Sequence, residues 1–138
     1  MKLSRDSRYA LTALAFLACE PAGTMLESRE IAEATSTPAP FLAKILAKLM
    51  RGGVLRSVRG GGYALARPAE EISVRDALTA VEGVDLFARC IFWRDECSAD
   101  NPCPLHPMWG LVRPQVEDQM ARLTIADLSP EVSIPHLR

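Results

Sequence analysis

The sequence predicts a mainly α-helical protein with one small β-hairpin, and three observations carry the prediction. Apolar residues recur three and four apart in the N-terminal third and again near the C-terminal end, the spacing of helices with one buried face. A lone glycine run, Gly60-Gly61-Gly62, separates two short strand-like stretches. Between hairpin and last helix, three of the four cysteines and one of the two histidines fall within Cys90 to His106.

From Ser4 or Arg5 to Cys19, the residues Tyr9, Ala10, Ala13, Leu14, Leu17 and Ala18 predict a first helix, with Cys19 a small buried side chain at its end. Glu20-Pro21-Ala22-Gly23 breaks the chain, and Leu26 to Ala34 reads as a short second helix with Ile31 and Ala34 inward. Thr37-Pro38 is a helix start, the threonine as N-cap and the proline in the first turn, where no amide is wasted. The third helix runs to about Arg51, with Phe41, Ile45, Leu46 and Leu49 inside, Lys44, Lys48 and Arg51 outside, and Gly52-Gly53 as its stop.

Val54 to Val58 and Tyr63 to Leu65 then read as a hairpin whose tip, Arg59-Gly60-Gly61-Gly62, is a tight turn. After the connector Arg67 to Glu71, Ser73 caps a helix with Asp76 at its third position and Gly83 beyond its end. Met108, Leu111, Val112, Val116, Met120 and Leu123 lie along a longer helix in which Pro114 predicts a kink or a break. Thr124 with Asp127 starts a last short helix, and residues 129–138 read as a tail.

Two short helices, a third with a basic outer side and a glycine-tipped hairpin carrying Arg56 and Arg59 form the order of a winged helix-turn-helix. In such a unit the third helix enters a DNA major groove and the wing reaches phosphate or the minor groove. The candidate DNA-binding residues are Thr37, Lys44, Lys48, Arg51, Arg56, Arg59, Gly60 and Gly61. Charge agrees: residues 1–67 hold ten Lys or Arg against five Asp or Glu, while residues 68–138 hold six against twelve, so a net charge of -1 hides a basic and an acidic half. The division predicted is a DNA-binding domain over residues 1–67, followed by a linker helix, a cysteine segment, a dimerisation helix and a tail over residues 68–138. A long helix after so small a domain has no core of its own to cover, and packing against a second copy would solve that.

Cys90, Cys97, Cys103 and His106 follow a Cys-x6-Cys-x5-Cys-x2-His spacing that is neither a common zinc-finger nor a ferredoxin pattern. Thiolates suit iron, iron-sulfur clusters or zinc, and imidazole can supply a fourth position, so the four are candidate metal ligands. At 138 residues, with no apolar run of membrane-spanning length and no signal-like start, the chain is expected to be cytoplasmic, where clustered cysteines act as ligands or redox groups. No nucleophile, base and oxyanion-binding set can be placed, and the triple glycine lacks the flanking residues of a nucleotide-binding loop, so no enzyme is expected.

Met1-Lys2-Leu3-Ser4, Arg8-Tyr9-Ala10, Thr37 to Leu42, Leu49 to Leu55, Ser57 to Tyr63 and the cysteine segment together resemble the Rrf family of bacterial transcriptional regulators, in particular its iron-sulfur branch, which includes IscR. That resemblance implies a homodimer on double-stranded promoter DNA, with Cys90, Cys97 and Cys103 ligating an iron-sulfur cluster and His106 completing a [2Fe-2S] form, with [4Fe-4S] as the other form considered. Three departures are visible. IscR-like proteins have one residue fewer between the first two cysteines, their wing is about two residues longer, and the positions of their polar DNA-reading residues hold Pro40, Phe41, Ala43 and Lys44 here. The competing readings are a regulator with structural zinc or no metal, a cysteine-dependent redox protein, and a winged-helix module that binds protein.

Overall fold

The computed structural model describes residues 3–89, 99–100 and 102–128. Three helices come first: α1 (Arg5–Ala18), α2 (Ser28–Thr35) and α3 (Ala39–Arg51). On α1, Ala10, Ala13, Leu14 and Leu17 form the expected buried stripe, and Ser7 is buried beside them. Cys19, expected inside, is exposed: it is the C-cap, its amide closing on the Phe16 carbonyl at 3.1 Å, beyond the last helical residue and off the stripe.

The second helix starts at Ser28 rather than Leu26 because Leu26 is taken up in an antiparallel bridge with Tyr63. Its amide donates to the Tyr63 carbonyl at 2.9 Å and its carbonyl accepts from the Tyr63 amide at 2.7 Å. Glu27 is the N-cap, in a reciprocal capping box with Glu30. Ile31 and Ala32 are buried, and Ala34 faces out.

The start of α3 also differs from expectation. Pro38 is the N-cap and no side chain caps the helix; the buried Thr37 hydroxyl instead lies 2.9 Å from that of the half-buried Thr35. Because Pro40 occupies the second helical position, one amide that a cap would satisfy does not exist. The buried stripe is Leu42, Ile45, Leu46 and Leu49, not Phe41, which is 40% exposed with the Arg5 guanidinium over its ring at 4.7 Å.

Strands β1 (Leu55–Val58) and β2 (Gly62–Leu65) pair antiparallel, Leu55 opposite Leu65 and Val58 opposite Gly62. Gly62 has φ +86°, and a Cβ there would run into the Leu26 backbone, so glycine is what lets the hairpin root lie against the α2 approach. Helix α4 (Val74–Glu82) opens with the predicted Ser73–Asp76 capping box and stops at Gly83. A 3-10 turn over Leu86–Ala88 follows, and then α5 (His106–Arg122), which Pro114 does not interrupt.

Two apolar clusters hold the fold. The main one joins α1, α2, α3 and the hairpin to Ile72, Ala77 and Val81, and includes Ile125 from beyond α5. That last residue is brought back by backbone bonds from the Ile125 amide to the Ile72 carbonyl (2.9 Å) and from the Val74 amide to the Leu123 carbonyl (2.8 Å). The second cluster packs Trp109 of α5 on Val74, Leu78, Leu86 and Phe87, with Val116 and Met120 at its edge. Helix α5 therefore does cover part of its own chain, contrary to the expectation that it has nothing to pack on. Among the described residues no helix is long and apolar enough to cross a membrane.

Candidate DNA-binding face and cysteine centre

The face expected to meet DNA is built from α3 and the hairpin. Packing α3 through Leu42, Ile45, Leu46 and Leu49 turns Pro40, Ala43, Lys44 and Arg51 outward. Lys48, on the flank, is half-buried and pairs with Asp6 of α1 at 3.7 Å. On the hairpin, Arg56, Arg59 and Gly60 are exposed and Gly61 is partly covered. The tip turns tightly, the Gly61 amide donating to the Val58 carbonyl at 2.8 Å with Gly60 at φ +75°. Of the eight residues expected on this face, Thr37 alone has a buried side chain. The outer surface of α3 carries few hydrogen-bonding groups, so contacts made by it would be apolar from Pro40 and Ala43 and cationic from Lys44 and Arg51.

Of the expected metal ligands, Cys90 and Cys97 lie outside the described residues. The other two stand at the beginning of α5. Cys103 is buried at 6% exposure, and its carbonyl accepts the His106 amide at 3.0 Å, so the thiol and the imidazole belong to one turn. His106 is the first helical residue, and Gly110 lies one turn on, where a Cβ would stand at ordinary van der Waals distance, 4.0 Å, from His106 Nε2. Among the described residues no three His, Cys, Asp or Glu side chains are grouped to hold a metal ion.

What is present nevertheless fits a thiolate-bound cluster. Cys103 offers a sulfur of the kind that iron takes, three residues before the first residue of α5. The Trp109 indole N–H, also buried (5% exposed), has no acceptor among the described residues. An unpaired buried donor costs about 1–3 kcal/mol, and a thiolate sulfur is the kind of acceptor that would relieve it.

A polar junction that the sequence did not reveal joins the end of α4 to the start of α1. Glu82, the last residue of α4, accepts through one carboxylate oxygen from the Ser4 amide (2.7 Å), the Ser4 hydroxyl (2.7 Å) and the Ser7 hydroxyl (2.6 Å) at the start of α1. Burial raises the Glu82 carboxyl's pKa, but these bonds and the Arg89 charge outweigh it, so the group ionises below its ordinary value. Only the buried Ser7, set among apolar neighbours, hinted at such a partner.

Comparison with known proteins agrees with this architecture. The model of the Rrf2 family, described as an iron-dependent transcriptional regulator, matches residues 3–131. The HTH-type transcriptional regulator IscR of Yersinia pseudotuberculosis is 30% identical over 131 residues, covering 93% of this chain and 79% of that one. CymR, the global cysteine regulator of B. subtilis, superposes with a TM-score of 0.76 at 25% identity, over 94% of this chain and 96% of that one. The T. potens IscR structure gives a TM-score of 0.73 at 26% identity, over 99% and 91%. The chain therefore belongs to the Rrf2 family: it is a transcriptional regulator related to IscR, not an enzyme, built as a winged helix-turn-helix with a long helix beyond it.

Proposed function

We propose that the chain is a homodimeric, cytoplasmic regulator whose grip on double-stranded promoter DNA is set by an iron-sulfur cluster on Cys90, Cys97, Cys103 and His106. The observation that carries this reading is the buried Cys103 one turn before His106 at the head of α5, with the indole N–H of Trp109, three residues further along the helix, buried without an acceptor among the described residues. The three thiolates hold the iron and His106 makes the fourth ligand, which favours [2Fe-2S] over [4Fe-4S]. Bound there, a cluster supplies a one-electron redox centre that oxidants and nitric oxide can damage.

Residues 1–67 read DNA and residues 68–138 sense and dimerise. Helix α3 enters the major groove with Lys44 and Arg51, and Lys48 supports it from the flank. Arg56, Arg59 and the amides of Gly60 and Gly61 meet phosphate or the minor groove. Thr37 fixes the turn into α3 rather than touching bases. On α5, Met108, Leu111 and Val112 are 46%, 74% and 38% exposed, and Leu111 lies on the face opposite Trp109, Val116 and Met120. A second copy covers that face, setting two recognition helices on two half-sites.

Anaerobic purification followed by iron and sulfide analysis with optical and Mössbauer spectra tests the centre. Equal iron and sulfide, about two of each per chain for [2Fe-2S], is the expected result, and His106→Ala changes the spectrum. Stoichiometric zinc, or a colourless iron-free protein after reconstitution, overturns the cluster. An unchanged spectrum in His106→Ala removes the histidine from the ligand set.

A further inference from the structure

A continuous set of polar contacts joins the residue before Cys90 to the recognition helix. Arg89 Nη2 donates to the Glu82 carbonyl at 2.5 Å and to Asp85 Oδ1 at 2.8 Å, which ties the chain leading into the cysteine segment to the last turn of α4. Room for that guanidinium depends on Gly83. At φ +109°, a Cβ there would lie 3.1 Å from Arg89 Nη2 and 3.0 Å from Asp85 Oδ1. The same residue whose carbonyl takes Arg89 sends its carboxylate across to α1, where three donors from Ser4 and Ser7 converge on one oxygen. Ser4 is the N-cap of α1, yet its hydroxyl does not cap its own helix. An anionic carboxylate takes that place and satisfies the positive helix end.

From there the contacts pass directly to α3. The next two residues of α1, Arg5 and Asp6, both reach the recognition helix: the Arg5 guanidinium lies over the Phe41 ring at 4.7 Å, and Asp6 pairs with Lys48 at 3.7 Å. Carbonyl and carboxylate of one residue thus hold the two ends of the route. A movement of Arg89 by one or two ångströms cannot occur without losing the Glu82 carbonyl bond or displacing the α4 end, because charge-assisted bonds weaken steeply with distance and angle.

We propose that Glu82 is the positioning residue that transmits the state of the cysteine segment to the recognition helix, by clamping the start of α1 and, through Arg5 and Asp6, setting the pose of α3. The inference rests on the cluster-dependent regulation proposed above. It assigns the coupling between sensor and DNA face to a carboxylate that touches neither metal nor DNA. Coupling of this kind is a ratio of affinities, and a residue that only stabilises the fold leaves the ratio alone.

The test measures the Kd of wild type, Glu82→Gln and Ser7→Ala with and without the cluster, on a duplex selected from a randomised pool, together with iron content. Glu82→Gln keeps the side chain's size and an acceptor oxygen but removes the charge, and Ser7→Ala removes one of the three donors. The expected result is a wild-type ratio between the two states of tenfold or more, a Glu82→Gln ratio within twofold of one at unchanged iron content, and an intermediate ratio for Ser7→Ala. A wild-type ratio of one would sink the regulatory reading itself. A large wild-type ratio that both variants preserve, whether or not their affinities fall in both states, overturns the role of Glu82 and leaves that reading standing.

Discussion

Replacing Ile125 with alanine probes whether the segment after α5 shares one core with α1, α3 and α4. Ile125 lies beyond α5, yet its side chain is fully buried among residues of α1, α3 and α4, at 0% exposure. The substitution removes three carbon atoms, worth about 2.4 kcal/mol in transfer at roughly 0.8 kcal/mol each. A residual cavity adds to this, for a total of about 3 kcal/mol. The backbone bonds that bring the segment in, Ile125 to Ile72 and Val74 to Leu123, do not involve the side chain, so the segment stays docked and the loss is a packing loss. For a domain of this size the melting temperature falls by about 10 °C. Urea unfolding of the metal-free protein at fixed concentration gives the free energy directly, with the m-value unchanged. A loss below about 1 kcal/mol would show that the segment after α5 is peripheral, and that α5 is not anchored to the DNA-binding unit at its far end.

Three further outcomes follow from the same geometry. Gly62→Ala sets a Cβ against the Leu26 backbone at a positive φ, and it lowers stability by about 1–3 kcal/mol while weakening DNA binding through the displaced hairpin, as measured by unfolding and by titration of duplex DNA. Leu111→Glu, at 74% exposure, leaves the fold intact and converts the dimer to monomer in sedimentation equilibrium; a dimer of unchanged affinity would place the interface elsewhere. Because the Glu82 carboxyl is held below its ordinary value of 4.5, its ionised form favours the folded state; that stabilisation is full above this value and lost as pH falls through the lower folded value. Wild type therefore loses stability more steeply than Glu82→Gln over that acidic range. Asp85, pulled down by its hydrogen bond from Arg89, keeps its own share in both proteins.

What could be read in the sequence was whatever depends on neighbours along the chain. The Ser73–Asp76 box, the stop at Gly83 and the glycine-tipped hairpin are all settled within a few residues, and each formed where expected. Phe41 and Leu42 show where local pattern fails. Both are apolar, and only the stripe through Leu42, Ile45, Leu46 and Leu49 completes the i, i+3, i+4, i+7 face, while Arg5 gives Phe41 an alternative to burial. Leu26 looked helical until its partner Tyr63, far along the chain, claimed it in an antiparallel bridge. Thr37 looked like a cap because its residue type often is one, but prolines at the N-cap and second position changed what needed capping.

For the candidate site, Cys103 and His106 could be related by spacing because they sit one turn apart. The Glu82 junction could not, since its donors are 75 and 78 residues away and no pattern links two serines to a distant carboxylate. Ile125 escaped notice for the same reason. A single isoleucine in so short a segment carries no periodicity, and its burial follows only from the return of the chain to Ile72 and Val74.

The proposed regulation requires that the centre at the head of α5 govern what α3 and the hairpin do on DNA. Fluorescence anisotropy with one selected duplex, titrated with anaerobic cluster-loaded protein and with the same preparation after chelation, measures this coupling. The prediction is a Kd that differs by tenfold or more between the two states, which corresponds to about 1.4 kcal/mol of coupling. Equal affinities in both states, with the iron content of the loaded protein verified, would contradict it.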